Sequence, residues 1–252
     1  MSDDYTIAES FSLPSKGLIY DHPVNPNFKI RSMTTNEEMR RLSPTDTPNK
    51  TMADIIEDCL IEKPGIAVYD MCMGDYQFII QKLRIVTYGT DYKIIVTCPT
   101  CHESFQKVIN LDDLKVIEYN NSSIEESKHI TLPRTKKVIE LQLQTPHQAD
   151  DITIKRKDIE KNNPELKGDI ELLLTLESLI KKVDGQVLTS VQLEAFIKKL
   201  PMMDANMILR TAEKLNGKVG IDPRISLVCP RCGHPVVGTF RYSEEFFRPS
   251  VD

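Results

Sequence analysis

Histidine is scarce in this chain, and the short motifs that mark common enzymes are missing. Five histidines occur, at positions 22, 102, 129, 147 and 234, and none stands in an acid–base constellation. There is no G-x-x-x-x-G-K or G-x-G-x-x-G stretch to cradle phosphates. There is no H-E-x-x-H to hold a catalytic zinc and no G-x-S-x-G to present a serine nucleophile. The expectation is a protein without enzymatic activity and without a small-molecule substrate. Long apolar runs are also missing: no window approaches the roughly 18 residues needed to cross a bilayer. The opening Met1-Ser2-Asp3-Asp4-Tyr5 is acidic and lacks the apolar core of a secretory signal, so a cytosolic protein is expected. No long block of one charge sign occurs. The 32 basic and 37 acidic residues give a net charge of −5, which argues against a surface devoted to nucleic acid.

What the chain does carry is a pair of cysteine knuckles, Cys98-Pro99-Thr100-Cys101 and Cys229-Pro230-Arg231-Cys232. Each follows an apolar run, Tyr92 to Val96 or Ile225 to Val228, and precedes another strand-like run, Phe105 to Ile109 or Val236 to Tyr242. Two C-x-x-C pairs supply four thiolates, the number that closes a tetrahedral zinc site. Proline after the first cysteine pre-sets a tight turn, and Gly233 suits a positive-φ exit. The spacing predicts one structural Zn2+ held by Cys98, Cys101, Cys229 and Cys232. The readings left open are two separate sites completed by His102 and His234, unmetallated thiols, a disulfide, and a redox pair. Strand-like flanks argue against the last, since a redox C-x-x-C caps a helix. In a contiguous zinc ribbon roughly 15–20 residues separate the pairs; here a long segment intervenes. Cys59 and Cys72 fall in apolar helical patterns and read as buried small hydrophobes.

The fold expected is α+β, with a helical domain inserted between two zinc-knuckle β-hairpins that share one metal site. Four segments are expected. Residues 1–45 form an extended segment with a β-turn and a short helix. Residues 46–110 hold a helical pair and the first knuckle. Residues 111–224 are a mostly helical insertion, and 225–252 hold the second knuckle and an aromatic tail. Thr34 with Glu37, or Thr35 with Glu38, fits a capping box before a short helix ending near Leu42. Met52, Ile55, Ile56, Cys59 and Leu60 recur at helical spacing from Thr51, up to Pro64-Gly65. Residues 68–88 read as one long helix closed by Gly89. Leu18–Tyr20, Phe28–Arg31 and Val138–Leu143 read as strands, and Asn120–Ser123 as an exposed loop. Residues 169–183 read as one helix with a narrow polar stripe of Glu171, Thr175, Ser178 and Lys182. Two more helices are expected over 190–200 and 204–215. Asp75 and Arg84 read as solvated, or as a pair across an interface. In the tail, adjacent Phe246 and Phe247 diverge in either regular structure. Either one ring staples the C-terminus onto the second knuckle hairpin while the other stays half exposed, or with Arg248 they form a candidate partner-binding patch.

These segments resemble the baseplate hub assembly proteins of T4-type bacteriophages. The resemblance rests on Leu13-Pro14-Ser15-Lys16-Gly17-Leu18-Ile19-Tyr20, Ile30-Arg31-Ser32-Met33-Thr34 and Glu37-Glu38. It also rests on Asp75-Tyr76-Gln77-Phe78, Leu83-Arg84, Tyr88-Gly89, the two cysteine pairs and Phe246-Phe247-Arg248-Pro249. It implies a non-enzymatic, structural or chaperone-like protein whose partners are other phage baseplate or hub proteins. The expected location is the host bacterial cytoplasm, with the virion tail baseplate as a second place. The alternative is a zinc-ribbon nucleic-acid-binding factor that uses Arg224, Arg231 and Arg241 near the second knuckle with Lys93 and Lys107 near the first.

Overall fold

A computed structural model describes residues 6–162, 170–240 and 244–247. The chain opens with β1 (Ala8–Ser12) paired antiparallel to β2 (Asn27–Arg31), with Phe11 opposite Phe28. Leu18–Tyr20, expected as a strand, is instead a bent connection. Lys16 and Gly17 both take positive φ, 54° and 70°, and a Cβ on Gly17 would sit 2.0 Å from the Val24 carbonyl oxygen. Glycine alone fits that approach. Helix α1 (Thr35–Arg41) starts with the expected capping box. The Glu37 carboxylate accepts the Thr34 N–H at 2.7 Å and a guanidinium N–H of Arg31 at 2.8 Å.

Helix α2 (Pro48–Cys59) begins three residues earlier than its apolar periodicity suggests, with proline in its first turn. Its N-terminus is capped from far along the chain. The Asp150 carboxylate accepts the Asn49 and Lys50 N–H groups at 3.3 and 2.8 Å. The helix stops at Cys59, ahead of Pro64-Gly65, because Leu60 turns extended and opens β3 (Leu60–Glu62), which pairs with β2. The long helix expected over 68–88 is split. A 3-10 turn at Val68–Asp70 precedes α3 (Met73–Tyr88), which Gly89 closes at φ 85°.

Asp75 and Arg84 of α3 are both fully buried and do not pair with each other. Asp75 accepts the Ser15 N–H at 3.0 Å and the Tyr20 hydroxyl at 2.6 Å. Arg84 donates to the carbonyls of Phe246 at 3.0 Å, Gly89 at 2.7 Å and Asp91 at 3.2 Å. The expectation of solvated charges or an interface pair gives way to two polar anchors inside the chain's own fold. Backbone partners make such burial tolerable.

Next comes a hairpin, β4 (Asp91–Thr97) with β5 (Ser104–Asn110). Short β6 (Val116–Ile117) follows, then α4 (Asn121–Lys128) where a loop was expected. Strands β7 (His129–Thr131) and β8 (Val138–Leu141) form a second antiparallel pair. Helices α5 (Pro146–Asn162) and α6 (Ile170–Leu179) come after them. The single helix expected over 169–183 ends at Leu179; Asp169 lies outside the described residues. Ile180–Val183 is strand β9, paired with β8. A bulge opposite Glu140 and Leu141 leaves Lys181 unpaired, so Ile180 and Val183 both turn inward. Helices α7 (Ser190–Ile197), with a Thr189–Gln192 capping box, and α8 (Met202–Asn216) follow. Strand β10 (Gly220–Ile221) pairs with β6, and the hairpin of β11 (Arg224–Val228) and β12 (Pro235–Thr239) comes last.

Burial divides the apolar residues into two main cores. One runs from Leu13 to Leu111 and takes in Phe240, Phe246 and Phe247 from the other end of the chain. The second runs from Ile124 to Val219 and takes in Cys72. They meet where α3 crosses β10. A Cβ on Gly74 would lie 2.2 Å from the Val219 oxygen, so the backbones touch there.

The capping box makes stability pH-dependent. Against burial, which opposes its charge, hydrogen bonds from Arg31 and Thr34 hold the Glu37 carboxyl at about 2, below its ordinary 4.5. Its contribution is complete above the unfolded value and is lost as pH falls toward about 2. Glu37→Gln is expected to lower the urea midpoint at neutral pH. The gap to the parent should narrow through that acid window; a gap independent of pH would show that the carboxylate's charge is not what matters.

Candidate metal centre

The two knuckles are built alike. In the first, the Cys98 N–H donates to the Glu103 carbonyl at 2.8 Å, and the His102 N–H to the Cys98 carbonyl at 3.0 Å. In the second, the Cys229 N–H donates to the His234 carbonyl and the Gly233 N–H to the Cys229 carbonyl, each at 2.9 Å. His102 and Gly233 occupy equivalent places and both take positive φ, 55° and 71°. Each turn therefore points both of its sulfurs the same way. The imidazoles of His102 and His234 stay exposed and outside the sulfur cluster.

The folding of the chain between the knuckles brings them together. All four Sγ atoms, of Cys98, Cys101, Cys229 and Cys232, lie within 4.8 Å of one another. Across the hairpins, Cys98 is 3.7 Å from Cys232 and Cys101 is 3.6 Å from Cys229. Sulfurs at about 2.3 Å around a tetrahedral zinc stand about 3.8 Å apart. A disulfide would require about 2.05 Å, and all four cysteines are free. The donor set and spacing therefore fit a metal ion. Cys98 and Cys229 are buried, with Val96, Phe105 and Val236 packed round them; Cys232 reaches the surface. Arg231 pairs with Glu103 at 3.0 Å, a further tie between the two turns.

Charge explains why such a cluster calls for a cation. The Cys101 N–H, with burial opposing it, pulls the Cys98 thiol down to about 6. Cys101 receives an N–H from Glu103, yet burial and the neighbouring sulfurs push it up to about 12. Four sulfurs this close cannot all ionise unless a positive ion neutralises them. Four thiolate ligands fill a tetrahedral shell and leave no position for water, so such a site holds structure rather than performing hydrolysis.

With this geometry in place, comparison with known families is decisive. Residues 7–248 match the family described as T4 bacteriophage base plate protein. The chain belongs to that family. No curated protein and no solved structure matches it. The family match spans both cysteine knuckles and the tail as far as Arg248. Among the described residues, no helix is long and apolar enough to cross a membrane.

The tail residues singled out in the sequence have a different setting from the cysteines. Phe246 and Phe247 lie in a 3-10 turn, Glu244–Phe247, and both are buried in the first core. The Phe246 ring meets Tyr92, Phe240 and Phe247 edge-on, with centroids 5.3 to 5.4 Å apart. The Arg41 guanidinium lies over the Phe247 ring. The 3-10 turn lets one core take both rings, which neither a strand nor an α-helix would allow. A partner docking on this pair would first have to displace it from the chain's own core. Arg248 lies outside the described residues. Sequence reasoning missed Arg84 as the clasp that holds the Phe246 carbonyl, and Ser15 and Tyr20 as partners of Asp75. The Leu13–Tyr20 motif pointed at this second network without revealing it. Phe246→Ala should cost about 3–5 kcal/mol in chemical denaturation, the usual loss for a fully buried ring. A loss below about 1 kcal/mol, the range of surface positions, would show that the ring is not part of the core.

Proposed function

We propose that the chain is a non-enzymatic assembly protein of the phage tail base plate hub, built on a structural zinc held by Cys98, Cys101, Cys229 and Cys232. The observation that carries the reading is the convergence of four sulfurs from distant parts of a base plate family chain. Four thiolates closing a tetrahedral shell are the usual donor set of a structural zinc, which supports zinc as the metal. Family membership supports a place in the virion tail and partners among other phage tail proteins. Assembly in the host cytoplasm follows from that role. The closed thiolate shell supports a structural rather than a catalytic task.

The nucleic-acid alternative draws less support. Arg224 is paired with Asp222 at 2.6 Å and Arg231 with Glu103 at 3.0 Å, so two cations near the second knuckle are already neutralised. Arg241 lies outside the described residues. Phosphate binding needs concentrated unpaired charge, and among the described residues Arg224 and Arg231 do not supply it.

The reading is tested in phage-infected cells and on the purified chain. The parent chain should co-sediment with tail assembly intermediates and carry one zinc per chain. Cys101→Ser should lose the metal, expose the segment between the knuckles to protease, and fail to complement a null phage. Full complementation by a metal-free variant would overturn the structural role of zinc. Absence of the parent chain from every tail intermediate would overturn the base plate role.

A further inference from the structure

Helix α8 buries Asp204, Ala205, Ile208, Ala212 and Leu215 and turns its other side outward. Met203, Met207, Arg210 and Lys214 recur at helical spacing along that outer side, so they form one straight stripe. Met203 is 57% exposed, Met207 half-buried, and both cations are exposed. A second element borders the first turn of the stripe. The Asp204 carboxylate accepts the Arg134 and Thr135 N–H groups, each at 2.9 Å, and the Thr135 hydroxyl at 2.8 Å. This fixes the turn between β7 and β8 beside α8 and leaves the Arg134 and Lys136 side chains exposed.

The charge here is unbalanced. Among the described residues none of these four cations closes an ion pair at contact distance, and Arg134 alone has a carboxylate, the buried Asp204, close enough to act on it. Surface cations elsewhere commonly do: Arg156 meets Glu171 at 2.6 Å, Lys157 meets Asp46 at 2.5 Å and Lys137 meets Asp184 at 2.6 Å. Glu213 falls on the neighbouring stripe of the helix. In a chain of net charge −5, an unpaired positive surface with methionine at its centre is a local exception. Methionine adapts its shape to varied apolar partners, and methionine and arginine are enriched where proteins meet.

We propose that this face of α8, with the Arg134–Lys136 turn, docks an acidic amphipathic segment of a partner protein. Carboxylates of the segment would meet Arg134, Lys136, Arg210 and Lys214, and its apolar side chains would lie over Met203 and Met207. A phosphate backbone would match the cations but would leave the methionines without a partner. The proposal rests on the base plate reading only for where the partner is sought.

The test places a photo-crosslinking residue at position 203 of the full chain in phage-infected cells, and crosslinked peptides are sequenced by mass spectrometry. The expected product is a protein segment with net negative charge and apolar residues. The variant R210E/K214E should cut its yield about tenfold or more, as expected when complementary charge becomes repulsive. Both positions are exposed, so melting temperature and metal content should stay at the parent's values. Should the reversal lower the melting temperature, R210Q/K214Q takes its place and should reduce the yield in the same direction. A crosslink to nucleic acid, a crosslink to a neutral or basic segment, no product, or a yield indifferent to these substitutions would overturn the proposal. Co-sedimentation of the parent chain with tail intermediates reports separately on the base plate reading.

Discussion

The four cysteine sulfurs impose the constraint on which the rest of this structure depends. They belong to two hairpins separated in sequence by nearly all of the second core, yet all lie within 4.8 Å of one another. Everything between Cys101 and Cys229 must leave and return to the same point. Loop closure of this kind costs entropy that rises slowly with length, and something must offset it. Structural zinc sites contribute about 10–16 kcal/mol of apparent binding free energy in small zinc-folded peptides. Two-stranded hairpins are marginal by themselves, and the apolar cluster around these sulfurs is small. A metal at this point would therefore act as the principal fastening between the hairpins.

A second fastening lies close by and needs no metal. Arg84, in the middle of α3, reaches the Phe246 carbonyl near the far end of the chain and two carbonyls at the start of β4. Burial lowers the affinity of its guanidinium for a proton, and the three carbonyls compensate the loss of water. Tyr92, Phe240 and Phe246 pack edge-on beside it. The N-terminal half and the segment after the last strand thus share one core, while the chain between the knuckles supplies nearly all of the second. Gly74 and Gly220 let the two bodies touch backbone to backbone. A chain fastened in this way can present the surfaces of the segment between the knuckles in a fixed position, which suits a component of a larger assembly.

Much of this was legible in the sequence because its signals are local. The C-P-x-C knuckles set their own turns, and their flanking runs became β4, β5, β11 and β12. Thr34 with Glu37 capped α1, and Gly89 closed α3. The features that were not legible depend on partners far away. Asp150 caps α2 from about a hundred residues downstream, and periodicity cannot reveal a cap borrowed from another helix. Ile180–Val183 has apolar spacing compatible with helix, but the free edge of β8 recruits it as a strand. Asp75 and Arg84 looked like surface charges because their compensating groups are a loop and a set of backbone carbonyls, invisible to a reading of charge alone. Adjacent phenylalanines in a strand or an α-helix leave one ring at least half exposed, whereas the 3-10 turn buries both.

X-ray absorption at the zinc edge of the purified full chain reports the metal's ligand atoms themselves. The account predicts a first shell of four sulfurs at about 2.3 Å, with no nitrogen or oxygen ligand. A shell containing imidazole nitrogen or water oxygen, or one with only two sulfurs per metal, would contradict a single ion shared by the two knuckles.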